Sequence, residues 1–355
     1  MTIVHTADVH LRAAGDERWH ALEVVLALAN ARGASVVTIA GDLFDASLDA
    51  QELRAQLRAL FARCDARIVI LPGNHDARGV RPGDYYGDNV ALIADAATIV
   101  DVDDVRVVGV PYEETGAEGA VERVRAAARH LREGACNVLL YHGELMDLAP
   151  PARVFGEEGE RDYMPVRLSA FAGLGFDYVL AGHVHKGFDV HRYAGGYFVY
   201  PGSPVSITRK ETGPRSACVV TPGAAPEAVV LDTVHFVARR AALDPFGGEA
   251  PLEAVERALA ALSPDARALL SVEGFVDLAA LGMTEDLFAA AVGRIASERG
   301  AEDVEHAWRD VSEVVGNALF KRFETRLAAR GLDGELRAGV RDMVIRAFTE
   351  VAHAR

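Results

Sequence analysis

Five short polar motifs, each set directly behind an apolar run, constrain this chain more than any other feature. They are Asp8-Val9-His10, Gly41-Asp42-Leu43-Phe44-Asp45, Gly73-Asn74-His75-Asp76, His142-Gly143-Glu144 and Gly182-His183-Val184-His185. The apolar runs Thr2–Thr6, Ser35–Ile39, Arg67–Leu71, Val105–Val110, Asn137–Tyr141 and Phe176–Leu180 read as β-strands. Helical segments are expected between them at 17–32, 49–63, 119–132 and 165–173. In the second helix, Leu53, Leu57, Leu60 and Phe61 recur at helical spacing. Strands that are apolar throughout imply a sheet covered on both faces, so the fold class is α/β with a layered core. Ligand crevices in such sheets lie beyond the carboxyl ends of the strands, which brings all five motifs to one rim.

The spacing inside the motifs favours convergence. Residues at i and i+2 of an extended segment point the same way, so Asp8 and His10 reach one point, as do His183 and His185. Glycines precede Asp42, Asn74 and His183, where the chain must turn sharply. Oxygen and imidazole donors without thiolate suit manganese, iron or zinc better than magnesium or calcium. Seven candidate ligands exceed one tetrahedral site and suit two metals sharing a bridging carboxylate. A lone buried histidine is more often a hydrogen-bonded core residue, and Asp after Gly often only makes a turn. Five such motifs in order, each at a strand end, outweigh those readings.

Texture changes along the chain. From about 187 to 220, short runs separated by Gly and Pro read as hairpins. The stretch Thr221-Pro222-Gly223-Ala224-Ala225-Pro226 marks a boundary, giving a domain at 1–225, a small α+β unit at 226–305 and a helical segment at 306–355. In the small unit a strand is expected near 228–236, a helix at 251–262, a strand at Leu269–Val276 and a helix at 284–298. Two amphipathic helices close the chain. One carries Val311, Val314, Val315, Leu319, Phe320, Phe323 and Leu327, the other Leu336, Val340, Met343, Val344, Phe348 and Val351. They form a hairpin packed on its own domain or a surface for a partner.

Acidic residues outnumber basic ones by 52 to 37, a formal net charge of −15. Such a chain does not coat nucleic acid by bulk charge. Cys64, Cys136 and Cys218 form no CxxC pair, so a disulfide framework or a cysteine zinc site is not expected. The N-terminus lacks a leader pattern and no apolar run is long enough to span a membrane, so a soluble, cytoplasmic protein is expected.

The ordered set of motifs resembles the calcineurin-like metallophosphoesterase superfamily over roughly residues 1–220. The resemblance implies a four-layer α/β/β/α sandwich with a dinuclear metal centre at the sheet edge. Carried over, Asp8, His10, Asp42 and His185 hold one metal, and Asp42, Asn74, His142 and His183 hold the other, with Asp42 bridging. His75 matches the non-ligand catalytic histidine, and Asp45 the residue that orients it. Asp76 and Glu144 are expected in the layer behind the ligands, although Asp76 could equally cap a helix. Within the superfamily the chain looks most like the nuclease subunit of SbcCD-type DNA repair complexes. The openings TADVHL and GDLFD, the arrangement Asp76-Ala77, and the hairpin region Tyr200 to Pro204 and Glu211 to Arg215 carry this likeness.

The implied activity is hydrolysis of DNA phosphodiester bonds by two-metal hydroxide attack, with Mn2+ as the first choice and Fe or Zn as alternatives. Residues 226–305 look like a cap, and the final helices occupy the place where the family binds an SMC-type ATPase. Homodimerisation through helices of the phosphoesterase domain, residues 77–95 among them, is a further expectation. Arg12, Arg78, Lys186, Arg209, Lys210 and Arg215 flank the motifs and are the candidate phosphate contacts. The competing reading is a small-molecule or cyclic-nucleotide phosphodiesterase on the same core. A scaffold that had lost its metals would lack ligands, and here every ligand position is filled.

Overall fold

The computed structural model describes residues 1–46, 49–148 and 163–353, with main chain only from 349. The chain divides into two compact units, Met1–Phe236 and Val237–Arg355. The strands of the first unit are β1 (Ile3–Thr6), β2 (Val36–Ala40), β3 (Arg67–Leu71), β4 (Val90–Leu92), β5 (Val100–Val102), β6 (Val105–Val110), β7 (Cys136–His142), β8 (Tyr178–Gly182), β9 (Asp189–Tyr193), β10 (Gly196–Tyr200), β11 (Ser216–Val220) and β12 (Glu227–Val230). They make two six-stranded sheets, ordered β12-β11-β1-β2-β3-β4 and β5-β6-β7-β8-β10-β9. In the first, β1 to β4 run parallel and β11 pairs antiparallel with β1. In the second, β6, β7, β8 and β10 run parallel, with antiparallel edges β5 and β9.

Three apolar layers hold this sandwich. Ile3, Val36, Val69 and Leu71 of one sheet meet Val107, Val138, Leu140 and Leu180 of the other in a middle layer. Outside the first sheet, α1 (Glu17–Ala31) and α3 (Arg54–Phe61) pack Leu22, Val25, Leu57 and Phe61 over Val37 and Ile39. The four-residue α2 (Asp49–Glu52) precedes α3. On the second sheet, α4 (Ala117–Ala127) lays Ala120 and Val124 over Val108 and Leu139. Layers of helix, sheet, sheet and helix make the expected four-layer α/β/β/α sandwich. The Asp16 carboxylate starts α1 by accepting from the Trp19 N–H at 2.8 Å.

The second unit has a three-stranded sheet of β13 (His235–Leu243), β14 (Ala266–Val276) and β15 (Ala301–Asp310). Helices α5 (Pro251–Ala258) and α7 (Glu285–Glu298) bury Val255, Phe288 and Val292 against Leu270 and Val272. Between β14 and α7 runs the one-turn α6 (Leu278–Leu281). The chain closes with α8 (Ser312–Gly316), α9 (Ala318–Ala328) and α10 (Gly334–His353).

Several expectations need correcting. No α-helix forms at 165–173, where a 3₁₀ turn covers Leu168–Ala170 and positive-φ Gly173 and Gly175 follow. The helix expected through 311–327 breaks at Asn317, whose side chain accepts from the Leu319 N–H at 2.8 Å and starts α9. The strand β15, running to Asp310, is not foreseen by the sequence, because an edge strand with mostly exposed residues carries no apolar signal. The three cysteines are free. Among the described residues no helix is long and apolar enough to cross a membrane.

Candidate metal centre

The motif residues meet because the loops after the strands are laced together, not because side chains alternate along a strand. Asp8 and His10 are not extended: their φ angles are 55° and 52°, and Asp42 and His183 stand at 48° and 98°. These four are among only seven described non-glycine residues with positive φ. Each such conformation costs on the order of 1–3 kcal/mol and persists only where its surroundings over-determine it. Main-chain bonds supply that constraint. The Asp8 N–H donates to Gly41 O at 3.0 Å, His10 N–H to Asp42 O at 2.9 Å and Leu11 N–H to Leu43 O at 2.9 Å. A Cβ at Gly41 would overlap the His142 ring, and one at Gly73 the Asp42 carboxylate, so both positions need glycine for close approach.

Asp76 fixes the same region from below. Its carboxylate is fully buried and accepts from the N–H groups of Leu43 (3.0 Å), Phe44 (2.9 Å) and Gly73 (3.2 Å). It therefore ties the second motif to the third. Burial, with the Asp42 charge adding to it, pushes this carboxyl up to about 7 against those three donors.

Asp8, His10, Asp42 and His185 are all buried and offer ligand atoms that lie within 4.8 Å of one another. Asp8 is held by the His183 N–H, at 2.9 and 3.0 Å to its two oxygens. Burial pushes the Asp8 carboxyl up, opposed by His185 and His142. Asp42 stands between two groups. Its Oδ2 lies 3.8 Å from His10 Nε2 and 3.3 Å from His142 Nε2, and its Oδ1 accepts from the His75 N–H at 3.0 Å. Burial disfavours the Asp42 charge, yet the neighbouring His142 and His10 hold its carboxyl well below the usual range.

His142 Nδ1 lies 2.9 Å from Ala40 O, and a carbonyl can only accept, so this nitrogen carries the proton. Nε2 then turns toward Asn74 Oδ1 at 2.9 Å and Asp42 Oδ2 at 3.3 Å. A neutral imidazole would point a lone pair at two oxygen acceptors, an arrangement that calls for a positive charge between them. Burial opposes protonation, but Asp42, seconded by Asp8, pushes the ring up to about 10. The His183 ring lies 5.4 Å from that of His142, edge on, and 4.8 Å from the Tyr163 ring. Buried carboxylate and imidazole donors facing one another, with no thiolate, fit divalent cations.

His75 differs from the expectation in how it is held. Its Nδ1 lies 2.7 Å from the main-chain carbonyl of Asp45, not from the Asp45 carboxylate. That carboxylate instead takes Arg12 Nε at 2.8 Å and Arg18 NH1 at 2.7 Å, and lies 3.5 Å from His10 Nδ1. Asp45 thus holds His75 through its backbone, while its side chain pairs with Arg12 and Arg18 and only approaches His10 Nδ1, with which it makes no hydrogen bond. Burial opposes its charge, but His10, Arg12 and Arg18 hold the carboxyl below the usual range. Glu144 is buried, and its main chain pairs with Tyr163 O and the Val166 N–H.

The basic residues do not behave alike. Arg78, Lys186, Arg209 and Lys210 are exposed. Arg12 is exposed but ion-paired with Asp45. Arg215 is 2% exposed and is not a surface contact. Its guanidinium donates to the carbonyls of Ser203, Lys186 and His185 and to Ser203 Oγ. Sequence reasoning also missed Arg18 and Glu211. Glu211 is fully buried and pairs with His185 Nδ1 at 3.2 Å. It lies 26 residues past its partner, in the hairpin stretch Glu211 to Arg215 that carries the family likeness, but no strand end precedes it to mark it as a partner of the site.

The sequence profile of calcineurin-like phosphoesterases matches residues 1–187. Among solved structures, the chain is similar to the protein TT1561 of Thermus thermophilus, at 16% identity and TM-score 0.44, over 64% of this chain and 98% of that one. It is similar to a dimetal phosphatase from Danio rerio at 10% identity and TM-score 0.44, over 65% and 95% of the two chains. A purple acid phosphatase from yellow lupin seeds matches at 13% identity and TM-score 0.39, over 66% of this chain and 48% of that chain.

Proposed function

The chain belongs to the calcineurin-like phosphoesterase family, and we propose that it is a metal-dependent phosphodiesterase whose substrate is DNA. The observation that supports the metal-dependent chemistry is the buried group Asp8, His10, Asp42 and His185, joined through Asp42 to His142 and Asn74, and the choice of DNA rests on the likeness of the motifs. Asp8, His10, Asp42 and His185 would hold one divalent ion, and Asp42, Asn74, His142 and His183 a second, with Mn2+ the first choice and Fe or Zn the alternatives. Such ions, when bound, neutralise the non-bridging oxygens of a phosphodiester and supply a deprotonated water near neutral pH.

The protein's own groups do the rest. His75, with Nδ1 committed to Asp45 O, presents Nε2 to hold or deliver a proton at the leaving oxygen. Asp76 and the laced loops keep the ligand atoms in place before substrate arrives, so little reorganisation is needed. The exposed Arg78, Lys186, Arg209 and Lys210 would contact backbone phosphates. In the same reading α9 and α10, which expose Leu319, Leu336 and Met343, dock an SMC-type ATPase, and two copies pair through the region 77–95, which forms turns and β4 rather than the expected helix.

One observation favours a second reading, a small-molecule phosphodiesterase. Arg215 is buried and Arg12 is ion-paired with Asp45, on a chain of net charge −15. Incubating the Mn2+-loaded protein with linear DNA and with bis-p-nitrophenyl phosphate separates the two. Degradation of both supports the DNA reading, and hydrolysis of the small ester alone supports the second. Turnover of neither overturns the phosphodiesterase assignment.

A further inference from the structure

Glu211 is an expensive residue to bury, and its surroundings show where it acts. It is fully inaccessible, yet donors from Ser203, Ile207, Thr208 and His185 converge on its two oxygens. Oε2 accepts from Ser203 Oγ at 2.9 Å and the Ile207 N–H at 2.8 Å. Oε1 accepts from the Thr208 N–H and Oγ1, both at 3.1 Å, and from His185 Nδ1 at 3.2 Å. A carboxylate so satisfied stays ionised and can only accept, so the proton of a neutral His185 ring must sit on Nδ1. Nε2 is then the atom turned toward Asp8 Oδ1 at 3.8 Å and His10 Nε2 at 3.2 Å. Arg215 fixes the other end of the same residue by donating to His185 O, and its charge offsets that of Glu211.

We infer that Glu211 is a positioning residue for His185: it selects the ring tautomer and aims Nε2 into the group formed with Asp8, His10 and Asp42. The inference rests on the reading of that group as a metal site. Glu211 also braces the loop 203–211, so the test must separate a role through His185 from a role in loop stability. Outer partners of metal-ligating histidines are worth about 10–100-fold in metal affinity. Glu211→Gln keeps the size and an acceptor oxygen but removes the charge.

The experiment is a double-mutant cycle on the full chain, reading Mn2+ affinity by calorimetry for the wild type, Glu211→Gln, His185→Ala and the double variant. Glu211→Gln is expected to weaken Mn2+ binding about 10–100-fold in the wild-type background and by less than about twofold when His185 is already alanine. Equal losses in both backgrounds, or no loss in either, overturn the positioning role while leaving the metal site standing. A wild-type chain that takes up no Mn2+ overturns the metal site and this inference with it. If Glu211→Gln does not fold, Ser203→Ala replaces it, removing one donor while keeping the acid. A loss that again depends on His185 supports the role, and one independent of His185 refutes it.

Discussion

The two sides of Asp42 use the same residue type and hold it in different ways. On the side of Asp8, His10 and His185, a carboxylate holds one imidazole from behind: Glu211 is hydrogen-bonded to His185 Nδ1 at 3.2 Å, whereas Asp45 stands 3.5 Å from His10 Nδ1 with no hydrogen bond between them. On the side of Asn74, His142 and His183, the Nδ1 of His142 is held by a main-chain carbonyl, Ala40 O at 2.9 Å. An anionic partner raises ring basicity as well as fixing orientation, whereas a carbonyl chiefly fixes orientation. The first side therefore depends on distant side chains, and the second on the strand end of β2 itself. His5 supplies a third case. It is fully buried, lies 3.0 Å from Thr38 Oγ1 and 3.3 Å from Ala181 O, and among the described residues has no acid paired with it. Burial pushes it down to about 4, whereas His142 beside Asp42 is pushed up to about 10.

Removing what both sides share has the largest effect. Asp42→Ala is expected to lower hydrolysis of bis-p-nitrophenyl phosphate by roughly 10³-fold or more, since charge stabilisation fails on both sides at once. His75→Ala leaves both sides intact and is expected to cost about 10²–10⁴-fold in rate while metal content per chain stays at the wild-type level. Loss of metal in that variant would place His75 among the ligands instead.

The structural histidine sharpens the contrast through pH. His5 is neutral in the fold with its affinity for protons lowered to about 4, against 6.5 for a free ring. The unfolded chain binds the extra proton, so this stabilisation is complete above about pH 6.5 and is lost as pH falls toward 4. The loss is on the order of 3 kcal/mol, and His5→Gln should flatten the stability profile in that window. A profile unchanged by the substitution would break the contrast between His5 and the site histidines. Gly41→Ala is the smallest change. It drives a Cβ into the His142 ring at a position with φ of 90° and should cost about 1–3 kcal/mol in denaturant unfolding.

Much of this was legible in the sequence, for identifiable reasons. Runs such as Val36–Ala40 and Arg67–Leu71 are apolar because both faces of their sheet are covered, and the motifs follow from where those strands end. The short strands Val90–Leu92 and Val100–Val102 and the exposed edge Ala301–Asp310 lack that signal. What the sequence could not show is which atom of a residue acts. Asp45 lies near His75 as expected, but its carbonyl makes that contact while its carboxylate pairs with Arg12 and Arg18. Arg215 reads as one more surface cation beside Arg209 and Lys210. Its burial depends on the carbonyls of Ser203 and His185, which meet it only in three dimensions, and on Glu211 four residues before it.

The most direct test of the account is the number of Mn2+ ions held per chain, measured by native mass spectrometry on the wild type and on Asp42→Ala. Two ions on the wild type and none on the variant are predicted, because both sides depend on that carboxylate. Two ions retained by Asp42→Ala would contradict a centre built around it.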